Sequence, residues 1–213
     1  MHLRFALVWF VLLFAVGCSP SSSSPAAAPQ TINVSVTQAA QPWLSKIYDC
    51  AGKNFIAVNL TGPDAADLSV RIGEPADLTI PAYQIDQEDV LIVVSRQSSL
   101  QDLTKEQAQA LFAGQGDLSA QVWVYASGAD IQRVFDQLMM AGRSETSLAR
   151  LATSPQEMSD ALTADPNAVG ILPRRLLGNG LREVYTIPSA PVLAITRSEP
   201  QGAVKDLLAC LQK

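Results

Sequence analysis

Histidine is almost missing from this chain: the one copy is His2, at the extreme N-terminus. Everything after it must work without an imidazole, which excludes Ser-His-Asp and Cys-His catalysis and the His-bearing zinc sites. The carboxylates show no spacing typical of paired-carboxylate hydrolases, and they fall mostly on the outer faces of expected helices. No catalytic residue, metal or cofactor is therefore expected, and the chain does not read as an enzyme. Basic side chains are also in the minority, 15 against 20 acidic ones. That balance disfavours a nucleic-acid partner, whose phosphates demand a basic face.

Long hydrophobic runs are equally scarce. Only residues 5–16 (FALVWFVLLFAV) form one, preceded by Arg4 and too short to span a bilayer comfortably. With residues 1–17 it reads as a signal peptide. Its end, Ala15-Val16-Gly17-Cys18, resembles the lipobox of bacterial lipoproteins, which implies lipidation of Cys18 and an extracytoplasmic domain anchored to the bacterial cell membrane. Residues 18–30 follow as a Ser/Pro/Ala tether with no large apolar side chain to bury. Cleavage removes only Arg4 among the charges and leaves 14 basic and 20 acidic side chains, a balance of −6.

Three cysteines occur, and with Cys18 assigned to lipid only Cys50 and Cys210 remain. Outside the cytoplasm two such residues are expected to form a disulfide tying the last helix to the first; the alternative is a pair of buried thiols.

What is present is an alternation of short β-rich and amphipathic segments. Residues 32–36 (INVSV) read as a strand, 41–51 as a helix carrying Trp43, Leu44 and Ile47 on one face, and 55–60 (FIAVNL) as a second strand. A short helix is expected from Pro63 through Leu68, and a third strand at 78–80. The almost wholly apolar 89–95 (DVLIVVS) suits a strand covered on both faces. Thr104 and Gln107 stand at capping-box spacing before a helix that stops near Gly114. Further strands are expected at 121–125, 169–172, 181–186 and 192–196, with helices at 130–141, 154–164 and 202–211. The alternation implies an α/β fold with mixed, mainly parallel sheets.

The segment SLQDLTKEQAQALFAGQ (99–115), then a Trp-containing strand and SGADIQRVF (127–135), resembles the type 2 periplasmic-binding-protein fold of ABC importers, in its phosphate-binding branch. Leu103, Thr104, Glu106, Gln107, Phe112 and Gly114 match one family helix, Ser127 and Gly128 match the Ser-Gly-Thr loop, and NAVGILP (167–173) matches a later strand. The resemblance implies two lobes, one of about residues 31–92 plus 190–213 and the other of about 93–189. It also implies a solute-binding lipoprotein that presents a small polar or anionic ligand to an ABC-type permease.

Ligand contacts are expected in three loops: Ser35, Thr37 and Gln38 after the first strand, Thr79 at the lobe crossing, and Ser127, Gly128, Ala129 and Asp130 before a helix. Ser127 and Asp130 also suit simple helix capping. The family's arginine before Ser-Gly-Thr is absent, since Val124-Tyr125-Ala126 stands there, and Ala129 replaces the threonine. Phosphate bound in the family's way would lack its bidentate cation, so phosphate specificity does not carry over. Arg133 either replaces that arginine or is a surface charge, and Arg174-Arg175 face either the cleft or water. The competing reading is an envelope interaction module that keeps the fold and has lost the ligand.

Overall fold

A computed structural model describes residues 29–116 and 119–213. The signal peptide, Cys18 and most of the tether lie outside the described residues. The first strand, β1 (Gln30–Val36), leads through a one-turn 3-10 segment into α1 (Leu44–Lys53), whose Ile47, Cys50 and Ala51 are buried. The chain returns as β2 (Ile56–Leu60), parallel to β1. Next comes β3 (Leu68–Ile72), also parallel to β1. The helix expected over 63–68 is only a 3-10 turn at Pro63–Ala65, because LSVRI alternates buried and half-buried positions and pairs as a strand. The strand expected at 78–80 does not form; Thr79 and Ile80 lie exposed in the loop between β3 and β4.

Two long strands carry the middle of the molecule, β4 (Ala82–Ser95) and β8 (Leu181–Thr196), paired antiparallel along most of their length. Between them in sequence lie α2 (Lys105–Phe112), β5 (Gln121–Tyr125), α3 (Asp130–Phe135), β6 (Arg150–Ala152), α4 (Pro155–Ala164) and β7 (Ala168–Pro173). The strand order is β2-β1-β3-β8-β4-β7-β5-β6, so the β4/β8 ribbon joins two groups of strands. β3 pairs with residues 192–196 of β8, whereas β7 pairs with residues 90–94 of β4. The ribbon is irregular where it passes from one group to the other, with register shifts at Gln84/Asp86, Glu88/Val90 and Ile92/Val93. From Val90 to Ser95 every residue is buried, as a strand with both faces covered requires.

Local signals account for the helices. Thr104 accepts from the Gln107 backbone N–H while Gln107 accepts from the Thr104 N–H, a complete capping box on α2. Ser154 caps α4 ahead of Pro155. α3 is shorter than the expected 130–141 helix: it widens into a π turn at Asp136–Met140, closed by the Ala141 N–H on the Asp136 carbonyl, and Ala141 and Gly142 then turn left-handed. The closing helix, α5 (Gly202–Leu211), packs against α1, and Cys50 and Cys210 form the expected disulfide across that contact.

Candidate functional site

The β1–α1 loop and the start of α3 meet at one carboxylate. Asp130, the first residue of α3, is 6 % exposed. Its Oδ2 accepts from the Thr37 hydroxyl at 2.6 Å and from the Ile72 N–H at 2.9 Å; its Oδ1 accepts from the Ile131 N–H at 2.9 Å. Thr37 belongs to the loop after β1 and Ile72 ends β3, so Asp130 ties one strand group to the other. The start of α3, where the helix dipole and unpaired N–H groups would favour an anion, already holds this internal one. The residue preceding the helix, Ala129, offers no side-chain cap, and Ser127 is exposed and caps nothing. Asp130 alone among the two expected caps engages the helix backbone.

Beside this contact lies a cleft of about 370 Å³. Thr37, Gln38, Gly128, Ala129 and Asp130 all line it, so five of the expected residues come together. Ser35 lies within β1, and neither it nor Thr79 nor Ser127 lines the cleft. The walls are mostly apolar, from Ala39, Ala126, Ile131, Leu151, Ala152 and Pro155, and no lysine or arginine reaches them. Tyr125 also lines the cleft, donating its hydroxyl to the Ile171 carbonyl at 3.1 Å. Burial first, and the Asp130 charge second, raise its pKa far above the ordinary tyrosine value, so it stays a donor.

Sequence reasoning missed Tyr125, Leu151 and Thr153 as cleft residues. The signal for the last two was the Ser154-Pro155 helix start, since the segment feeding a helix at a strand end is where such clefts form. β6 itself, three residues long, is too brief for its alternation to register.

Neither arginine alternative supplies the cleft with a cation. Arg133 does not line it, and Arg174 and Arg175 are engaged with the ribbon. Arg174 bridges Asp89 at 2.8 Å and Glu183 at 2.7 Å. Arg175 reaches Asp86 at 2.7 Å and the buried Glu88 at 3.0 Å, and its guanidinium lies 4.7 Å from the Trp43 ring centre.

Among solved structures, one similar to this chain is a putative phosphate ABC transporter substrate-binding protein with bound phosphate from Clostridium perfringens. It has a TM-score of 0.77 at 11 % identity, covering 85 % of this chain and 93 % of that one. The fold is periplasmic-binding-protein-like. An ABC-type phosphate transport receptor from Vibrio cholerae gives 0.66 at 16 % identity over 85 % and 93 % of the two chains. The OxyR2 regulatory domain from Vibrio vulnificus gives 0.64 at 11 % identity over 87 % and 96 %. No protein-family model and no curated protein sequence matches the chain. At these identities the likeness is one of fold, shared by transporter components and a regulatory domain alike. Among the described residues no helix is long and apolar enough to cross a membrane.

Proposed function

We propose that the chain is an extracytoplasmic, lipid-anchored solute-binding protein that holds a small polar ligand in the cleft between the β1–α1 loop and the start of α3 and presents it to an ABC-type permease. It performs no catalysis. The observation that carries this reading is the convergence of Thr37, Gln38, Gly128, Ala129 and Asp130 on one cleft, at the strand ends where binding proteins of this fold would receive a ligand. The fold shared with the phosphate-binding components from Clostridium perfringens and Vibrio cholerae supports it. Phosphate itself is a poor candidate for this cleft: Asp130 stands at the helix start and would repel it, and no arginine lines the walls to pair it. A neutral polar ligand with an apolar body suits these walls better.

A screen of sugars, amino acids and oxyanions by thermal shift tests this. A true ligand raises Tm in the wild-type protein, and the gain disappears in Gly128→Trp, where the new ring projects into the cleft. Gly128 has open space on its side-chain side, so that variant is expected to fold. A second reading, an interaction module without ligand, is favoured by Asp130 already satisfying Thr37 and Ile72 across the strand groups. No Tm gain from any ligand in the screen would leave that reading.

A further inference from the structure

Phe55 is a large apolar side chain held in solvent by a backbone that does not suit it. It follows α1 at φ +55° and is 84 % exposed. Its N–H closes the helix on the Gly52 carbonyl at 3.3 Å, just past a helix end, where glycine takes the left-handed turn without strain. Little packing offsets that strain, which singles Phe55 out as a contact with something outside the folded domain.

The chain enters the domain beside this residue. β1 begins at Gln30, which stands opposite Ile56 in the parallel β1/β2 register, one residue from Phe55. The start of α5 closes on the same point, since a side-chain carbon placed on Gly202 would lie 3.6 Å from Gln30 Oε1. Residues 18–29 therefore join Cys18 to the edge that carries Phe55, and even fully extended they reach only about 40 Å. The cleft lies at the other end of β1, where Thr37 follows the strand, about 20 Å from Gln30 at the rise of an extended chain.

The charge beside Phe55 is basic, against the acidic balance of the chain. Lys53 and Asn54, which precede Phe55, line a groove of about 500 Å³ between α1 and α5 together with Lys46, Lys213, Asp49 and Asp206. Lys205, on α5, is exposed next to Asp206. Four of the chain's five lysines thus sit on or next to these two helices, and none of the four forms an ion pair among the described residues. Two aspartates oppose them, leaving 10 of the 14 basic and 18 of the 20 acidic side chains that follow residue 17 elsewhere. A negatively charged surface would draw this face and repel the rest of the domain.

We infer that the edge formed by Phe55 and the α1/α5 lysines rests on the anionic bilayer that holds the lipid of Cys18, with the Phe55 ring set among the headgroups. The inference builds on the lipid-anchored reading above. A lipid anchor fixes distance and not orientation; an exposed aromatic ring with basic neighbours fixes orientation, because the interface takes up the ring and the anionic headgroups attract the lysines. The cleft then stands at the end of β1 remote from the contact, open to an arriving solute.

Fluorescence quenching on vesicles tests the contact. The full chain, expressed with residues 1–17 and purified from membranes, is reconstituted in phosphatidylethanolamine with one quarter phosphatidylglycerol, some acyl chains being brominated. Phe55→Trp supplies the probe at an exposed position where one ring replaces another; Trp43 is buried, and the wild-type protein corrects for the native emission. Association with the vesicles reads the anchor, and quenching reads the edge. The expected result is that brominated lipid removes at least half of the emission that Phe55→Trp adds, and that Lys53→Glu in the same background cuts this quenching at least twofold. Vesicle-bound protein whose added emission is not quenched, or is quenched equally with Lys53→Glu, overturns the inference and leaves the anchor standing. Protein that does not associate with the vesicles at all overturns both. Shielding of the added emission from aqueous iodide without quenching by brominated lipid, growing with the surface density of protein, puts a second copy of the chain on Phe55 and overturns the bilayer contact.

Discussion

Asp136 shares a proton-dependent contact that the cleft does not use. The amide of Gln132 donates to Asp136 at 2.8 Å and to Glu145 at 2.9 Å, holding two carboxyl groups together. Burial, the hydrogen bond with Glu145 and the charge of Glu145 push Asp136 up to about 7, against the pull of Gln132. A carboxyl group whose folded pKa lies above its unfolded one takes up a proton on folding. Its contribution is fully present below about pH 4 and is lost as the pH rises through about 7. Asp136→Asn should therefore gain in Tm relative to wild type as the pH is raised from 5 to 8, read by thermal melts; a constant difference would contradict the coupling. At the cleft edge, Asp130→Ala leaves the Thr37 hydroxyl and the Ile72 and Ile131 N–H groups without their acceptor. A loss of about 1–3 kcal/mol is expected in urea unfolding. Phe55 presents the reverse case. It is left-handed at φ +55° and 84 % exposed, so Phe55→Gly relieves strain while giving up little packing. It should stabilise the protein by about 0.5–1 kcal/mol in the same assay.

The elements were unequally legible, and the reasons are particular. α2 and α4 were readable because Thr104/Gln107 and Ser154/Pro155 are local signals that the fold uses as they stand. β3 was not, because Pro63 and Asp64 suggested a helix start and the LSVRI alternation that follows is only five residues long. β8 was read as two strands because Pro188 and Pro191 interrupt its pattern. The structure carries it unbroken through both: Pro188 falls within the Glu88/Val90 register shift, and Pro191 stands opposite Gln87. The expected link between the first and last helices did form, with Cα atoms of Cys50 and Cys210 5.7 Å apart and 160 residues between them. Cys50→Ser with Cys210→Ser should cost about 4–5 kcal/mol in the chain-entropy account, less if the reduced chain retains structure. Thiol titration of non-reduced wild-type protein should find neither cysteine reactive.

At the scale of the whole molecule, the two strand groups are held by three kinds of contact: the β4/β8 ribbon, the Arg174 and Arg175 ion pairs on it, and Asp130 across the cleft. Five of eight expected ligand residues fell on the cleft because they occupy loops at strand ends, which the order of strands and helices fixes. Thr79 fell elsewhere because its strand does not exist. What the residues could not disclose was pairing in three dimensions: that Asp130 would be spent on Thr37 and Ile72. Titration calorimetry of the strongest thermal-shift ligand into wild type and Gly128→Trp tests the solute-binding account most directly. The account predicts one site per chain in wild type and affinity at least a hundredfold weaker in the variant. Equal affinity in both would contradict it.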